Sequence, residues 1–88
     1  MDSDAFKARL QRDGFQVEAK GMAANEHRDE HAHPFDVEAL VTAGRITITC
    51  GGAPRTYGVG ESFTMKAGMP HMEDVGPEGV EYIVGRRH

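Results

Sequence analysis

The fold class is decided by the segment 45-RITITCGGAPRTYGV-59. Between residues 45 and 50, apolar and polar side chains alternate strictly, which is typical of a β-strand with one buried face. Gly51 and Gly52 follow, and paired glycines supply the positive φ angles that a tight turn requires. Residues 55–59 can then return as a partner strand. The segment therefore predicts an antiparallel β-hairpin.

The rest of the chain from residue 15 onward repeats this pattern of short β-favouring segments separated by glycine, proline or asparagine. Close spacing of such segments is typical of an all-β sandwich or barrel. Residues 25–34 are a polar run without apolar periodicity, so we expect no core element there. Further strands are predicted over residues 15–20, 37–42, 62–66 and 80–86.

The start of the chain carries a helix signature instead. Phe6 and Leu10 are four residues apart, Ser3 can cap the first turn, and Gly14 can end the last one. The pattern predicts one helix over residues 4–13. So short a helix is not stable alone, and its apolar side chains must pack against the barrel or a partner subunit.

The length of the chain sets its organisation. Its 88 residues make one domain, because chains divide into several domains only at about twice this length or more. We interpret residues 1–14 as the N-terminal helix and residues 15–88 as a small β-barrel. Since a chain this short has a thin core, oligomerisation or a bound metal would add stability.

The charge distribution argues against nucleic acid as a partner. The chain has 14 acidic and 10 basic residues, a formal charge of −4, and no stripe of lysine and arginine that could follow a phosphate backbone. No apolar run approaches the ~20 residues that span a bilayer, so no membrane association is expected. Without a signal-peptide pattern, and with Cys50 as the single cysteine, the sequence predicts a cytoplasmic protein.

The spacing of three histidines indicates a metal site. Residues two apart on a strand point the same way, so His31 and His33 would present both imidazoles on one face, roughly 6–7 Å apart. His71, placed after a turn, would complete the set from a distant strand. Neutral imidazole is an ordinary ligand for divalent transition metals. Glu38 is the predicted carboxylate ligand, and the nearby acids compete for that role: Asp29, Glu30 and Asp36.

Two segments that contain these histidines resemble the conserved motifs of the cupin superfamily. His31 to Glu38 is similar to the first motif, in which two histidines around one residue are followed by a glutamate. Gly60 to His71 is similar to the second, in which a glycine, five residues, a proline, another glycine and a histidine follow in order. The resemblance covers roughly residues 25–85 and implies a small jelly-roll β-barrel with the metal inside.

The chain departs from these motifs at three points. Lys66 stands where the second motif usually has proline, and Val75 where it usually ends in asparagine. Five residues separate Glu38 from Gly44, where the first motif has six. If the strand matches the motif at Gly44, the missing residue turns Glu38 outward. The site then consists of three histidines with water or an outer carboxylate.

The resemblance implies a broad class of function, because cupins include both enzymes and binding proteins. One hypothesis is a metal-dependent enzyme of the oxygenase or isomerase type that acts on a small organic molecule. The alternative is a non-catalytic domain that binds or senses a small-molecule ligand. In both, the cofactor is one divalent transition metal, with Fe, Mn, Ni and Zn as the candidates. Relatives of this size commonly associate, so a homodimer is expected.

Overall fold

A computed structural model describes residues 2–88, in which one helix is followed by six strands. All strand pairings in this part of the chain are antiparallel. The elements are α1 (Ser3–Arg12), β1 (Gln16–Met22), β2 (His27–His31), β3 (Asp36–Cys50), β4 (Ala53–Tyr57), β5 (Ser62–Met65) and β6 (His71–Arg87).

The two long strands β3 and β6 pair with each other through both halves of the molecule. The first half of β3 is flanked by β5 and its second half by β4. The first half of β6 is flanked by β2 and its second half by β1. The hairpin predicted at Gly51 and Gly52 is confirmed, since β3 and β4 pair around it and both glycines have positive φ.

A bulge in the middle of the long strands lets the two halves face each other. Gly44 pairs with Val80 and Ile46 with Val75, so the single residue between them on β3 is opposite four residues of β6. Pro77 lies within this bulge, where no ladder hydrogen bond is needed from its nitrogen. Buried side chains from both halves form one core, which confirms the predicted all-β barrel: Met22, Val37, Ala39, Val41, Ile46, Ile48, Phe63, Met65, Val75, Val80 and Val84.

The bulge also corrects two predicted boundaries. Residues 37–42 and 45–50 belong to one strand, β3. Gly44 lies inside this strand with a φ of 71° and does not end it. The predicted strand at 80–86 is likewise the second half of a longer strand that begins at His71. Glycine and proline occur both where a strand ends and where a strand bulges, so the sequence does not distinguish these cases. The pairing of β3 with β6 identifies this position as a bulge.

The helix packs on the outer face of the barrel. Phe6 and Leu10 are buried against Leu40, which points outward from β3. The helix begins one residue before its predicted start, and the side chain of Asp2 caps it by accepting a hydrogen bond from the backbone N–H of Asp4. Of the two packing partners considered for this helix, the barrel is the one observed.

The polar run at residues 25–34 contains a strand that its composition did not predict. β2 pairs only with β6 in the described part of the chain, and most of its residues are exposed. A strand at the edge of a sheet with one face exposed to solvent needs few apolar residues. No helix in residues 2–88 has the length and apolar character needed to cross a membrane.

Candidate metal centre

The structure brings His31, His33 and His71 together at one end of the barrel. His31 is the last residue of β2 and pairs directly with His71, the first residue of β6. One ligand atom from each imidazole can be chosen so that all three lie within 4.8 Å of one another. Such a cluster is compatible with a divalent metal.

His33 reaches the cluster from a position just beyond β2. Its backbone carbonyl accepts a hydrogen bond of 2.8 Å from the N–H of Gly68, in the turn that precedes His71. Gly68 has a φ of 77°, a conformation that glycine adopts readily. The turn of the second motif therefore holds the two histidine segments together, at a position where strand pairing has already ended.

Backbone carbonyls orient two of the imidazoles. Nδ1 of His31 lies 2.7 Å from the carbonyl oxygen of Asp29, and Nδ1 of His71 lies 3.1 Å from that of Met69. Each Nδ1–H can donate to its carbonyl, which leaves Nε2 with a free lone pair for a metal. Nε2 of His71 is buried without a hydrogen-bond partner, so the chemistry of this site fits a cation.

The environment of His33 favours the neutral form that binds metals. Its ring stacks on Phe35, with a centroid distance of 4.9 Å and an interplanar angle of 15°. Burial lowers the pKa of His33 below its ordinary value, and the neighbouring imidazoles of His31 and His71 lower it further. A neutral imidazole offers its lone pair without first releasing a proton.

The predicted carboxylate ligand, Glu38, is not part of this cluster in the structure. Its neighbours Val37 and Ala39 point into the core, so Glu38 points to the outer face of β3. There its carboxylate accepts a hydrogen bond from the guanidinium of Arg9 on the helix. Five residues separate Glu38 from Gly44, one fewer than in the motif that this segment resembles. With this spacing, Glu38 lies on the outer face of β3.

The competing acids also lie outside the histidine cluster. Asp36 accepts a hydrogen bond of 2.9 Å from the backbone N–H of Ala67. The side chain of Asp29 is 97% exposed, and Glu30 is exposed as well. None of these carboxylates is a candidate for the interior of the barrel.

His27 is separated from the cluster because two carboxylates hold its ring on the outer surface. Nδ1 lies 2.6 Å from Asp74, and Nε2 lies 2.8 Å from Asp29. The hydrogen bond to Asp74 raises the pKa of His27 above its ordinary value, and the hydrogen bond to Asp29 adds to the effect. Neither ring nitrogen of His27 is available to a metal in the barrel.

We expect the imidazole of His27 to titrate above ~6.5, the value of an unperturbed histidine. Because folding raises this pKa, the protonated ring stabilises the fold below about pH 6.5, and the contribution is lost as the pH rises through the folded pKa. Asp74→Asn should lower the pKa more than Asp29→Asn, since Asp74 has the larger effect. An NMR titration of the metal-free protein measures it, and an unchanged pKa in Asp74→Asn would contradict this account.

Glu73, which the sequence did not single out, is a buried acidic residue in contact with the cluster. It lies two residues after His71 on β6, and both side chains are buried, with exposures of 8% and 1%. Oε2 of Glu73 is 3.5 Å from Nε2 of His31. The alternation His71, Glu73, Val75 along one strand was the available signal, but the strand had been predicted to begin only at residue 80.

A cavity of about 90 Å³ adjoins the cluster and includes His33 and Glu73 in its wall. Tyr82 also lines it; burial and then the charge of Glu73 raise the pKa of the tyrosine, so its hydroxyl stays protonated near neutral pH and can donate a hydrogen bond. Besides His33, Glu73 and Tyr82, the wall has an apolar part and a basic part. The apolar residues are Phe35, Val37, Ala39, Ile46, Phe63, Met65 and Val84, and the basic ones are Lys20, Arg28 and Arg86.

No protein-family model matches the sequence, and no curated protein matches it either. Solved structures do match. A cupin-2 domain containing protein from Shewanella frigidimarina is 17% identical with a TM-score of 0.71, over 84% of this chain and 71% of that one. The DMSP lyase DddQ from Ruegeria pomeroyi is 23% identical with a TM-score of 0.75, over 84% of this chain and 38% of the lyase.

A third similar structure is the polyketide cyclase RemF from Streptomyces resistomycificus. It is 23% identical with a TM-score of 0.70, over 86% of this chain and 58% of the cyclase. This chain therefore spans less than two thirds of both enzymes. At these identities the likeness concerns the fold.

Proposed function

We propose that this chain, which has the cupin fold, is a small metal-dependent enzyme that acts on a small organic acid. His31, His33 and His71 hold one divalent transition metal, and the substrate occupies the adjoining cavity. The observation that carries the proposal is the histidine cluster itself, in which the buried Nε2 of His71 has no hydrogen-bond partner among residues 2–88. When bound, a divalent ion with three imidazole ligands keeps open positions and acts as a Lewis acid.

The size of the cavity supports a small substrate. Its volume of about 90 Å³ is well below the ~300–1,000 Å³ of pockets for drug-sized ligands. Phe35, Phe63 and Met65 offer an apolar wall for a short carbon skeleton. The protonated hydroxyl of Tyr82 can donate a hydrogen bond to an oxygen of the substrate.

The charge of the cavity wall supports an acid as the substrate. Lys20, Arg28 and Arg86 line it, and Glu73 is the one acid in the wall among the described residues 2–88. Each of these cations also pairs with a surface acid: Arg28 with Glu26 at 3.1 Å, and Lys20 and Arg86 with Glu18 at 3.5 and 3.1 Å. The wall thus carries more cations than carboxylates, although the chain has a formal charge of −4. Arginine recognises carboxylates with particular geometric fit.

The test of the enzyme is the metal content of protein purified without added metal or chelator, followed by oxygen-uptake and turnover assays on small organic acids. We expect about one divalent ion per chain and metal-dependent consumption of at least one acid. Tightly held metal without turnover on any of the acids tested would favour a non-catalytic ligand-binding domain.

Recognition of an acid can be tested separately with butyrate and its neutral analogue butanamide. In NMR titrations of the Zn²⁺-loaded protein, we expect butyrate to shift the resonances of Tyr82 and to bind more tightly than butanamide. Arg28→Gln and Arg86→Gln should each weaken butyrate binding by about three- to tenfold, because both side chains are partly exposed and solvent screens their charge.

Arg55→Gln is the matched control for these variants. Arg55 lies on the exposed strand β4, outside the cavity wall, so this variant should bind butyrate as the unchanged protein does. Equal binding of butyrate and butanamide would contradict the proposed substrate class and would leave the metal site unaffected.

A further inference from the structure

We infer that Glu73 is the fourth protein ligand of the metal, in the role that the sequence indicated for Glu38. The inference rests on the proposed metal site and specifies its donor set. β2 and the residues just after it supply two imidazoles, and β6 supplies one imidazole and one carboxylate. The barrel then offers three nitrogen donors and one oxygen donor to the metal.

Two buried atoms without partners carry the inference. Within residues 2–88, the buried side-chain polar atoms that lack a hydrogen-bond partner are Nε2 of His71 and Oε2 of Glu73. Leaving one such atom unpaired costs about 1–3 kcal/mol, and more for a charged group. Because the two residues are separated by one position on the same strand, their side chains lie on the same face. The carboxylate of Glu73 is not among the ligand atoms that lie within 4.8 Å of one another. A cation shared by both atoms would satisfy them together once the side chain of Glu73 moves toward the three imidazoles.

Lys20, Arg28 and Arg86 line the same cavity as Glu73, but within residues 2–88 none of them lies within ion-pair distance of its carboxylate. Its one ion-pair contact within 4.0 Å in the described chain is with Nε2 of His31, at 3.5 Å. Arg28 is its cross-strand neighbour but pairs with Glu26. Two ligand atoms that are each ~2.1 Å from a tetrahedral ion lie about 3.4 Å apart. The 3.5 Å between Glu73 and His31 is therefore a separation that two ligands of one ion would show.

A carboxylate in this position also changes which metal the site prefers. Three neutral imidazoles leave the full charge of a divalent ion uncompensated, and one carboxylate lowers it by one. A mixed nitrogen and oxygen donor set suits Fe²⁺, Mn²⁺, Ni²⁺ and Zn²⁺, whereas Cu⁺ prefers sulfur ligands. Glu73 thus supplies the charge compensation that Glu38, paired with Arg9, does not.

The competing explanation is a structural ion pair between Glu73 and a protonated His31. The two explanations predict opposite effects of Glu73→Gln on the metal-free protein. If Glu73 is a ligand, the neutral glutamine removes an uncompensated buried charge, and the unfolding temperature without metal stays the same or rises. If Glu73 is a structural partner of His31, the unfolding temperature without metal falls.

The experiment is a chelator-competition titration of Zn²⁺ with the unchanged protein, Glu73→Gln and Glu38→Gln, together with thermal unfolding of each in EDTA. We expect Glu73→Gln to weaken Zn²⁺ binding by at least about tenfold, the lower end of what loss of an outer-shell partner costs. Glu38→Gln should bind Zn²⁺ as the unchanged protein does. Glu73→Asp, which keeps the charge on a shorter side chain, should bind with intermediate affinity.

Equal Zn²⁺ affinity of the unchanged protein and Glu73→Gln would overturn the inference and leave the three-histidine site standing. A lower unfolding temperature of Glu73→Gln in EDTA, with unchanged affinity, would establish the structural ion pair instead. Failure of the unchanged protein to bind Zn²⁺ would refute the proposed metal site, and with it the role of Glu73.

Discussion

Replacing His71 with alanine is expected to leave the protein without bound metal. The side chain is 1% exposed, and Nε2 has no hydrogen-bond partner within residues 2–88. The loss of an outer-shell partner already costs about 10–100-fold in metal affinity, so the loss of a buried ligand should cost more than ~100-fold. Elemental analysis of the purified variant measures this directly, and full metal occupancy would contradict the site.

Two further variants separate loss of the ligand from damage to the fold. His31→Ala removes a less buried imidazole and should also abolish metal retention while leaving a smaller cavity. His27→Ala is the matched control on the same strand, since both nitrogens of His27 contact surface carboxylates. Its metal content should equal that of the unchanged protein. Loss of metal from all three variants to the same degree would indicate unfolding.

Gly44→Ala is expected to destabilise the barrel by about 3 kcal/mol or more. An alanine at a φ of 71° is strained by itself, at about 1–2 kcal/mol. A Cβ atom built at Gly44 would also lie 1.9 Å from the carbonyl oxygen of Gly79, so the two long strands would have to separate at the bulge. Since small domains are stable by only ~5–15 kcal/mol, a large part of the stability would be lost.

Gly51→Ala isolates the steric part of this effect. Gly51 also has a positive φ, of 58°, but a Cβ atom there would meet nothing within 4 Å. Its cost should be limited to the backbone strain of about 1–2 kcal/mol. Urea unfolding of both variants in EDTA gives the comparison without any contribution from metal. Similar losses for the two glycines would show that the close approach of Gly44 and Gly79 does not matter.

The outcome for Glu38 shows where sequence reasoning about the site stops. Its spacing from His33 resembled a known ligand position, yet its side chain faces the helix and pairs with Arg9. The alternation of side chains along a strand places Val37 and Glu38 on opposite faces. It does not determine which of the two faces is turned toward the interior of the barrel. The bulge at Gly44 and the pairing of β3 with β6 settle that choice.

The cavity wall illustrates the same limit. Arg28 and Arg86 come from β2 and from the end of β6, and both line the cavity although nothing in their local sequence distinguishes them from other exposed arginines. Arg45 and Arg55, which also lie on strands, are not in that wall. Which cations surround a cavity depends on pairings between segments that are far apart in the chain.

What the sequence determined by itself was the local part of this protein. Strand alternation, the paired glycines of the hairpin and the spacing of His31, His33 and His71 indicated a small barrel and its histidine cluster, because these patterns act over a few residues. Tertiary structure alone decided that Glu38 pairs with Arg9 of the helix and that Glu73 is buried beside His31. Those choices depend on the register of paired strands, and register is set by bulges and by contacts between distant segments.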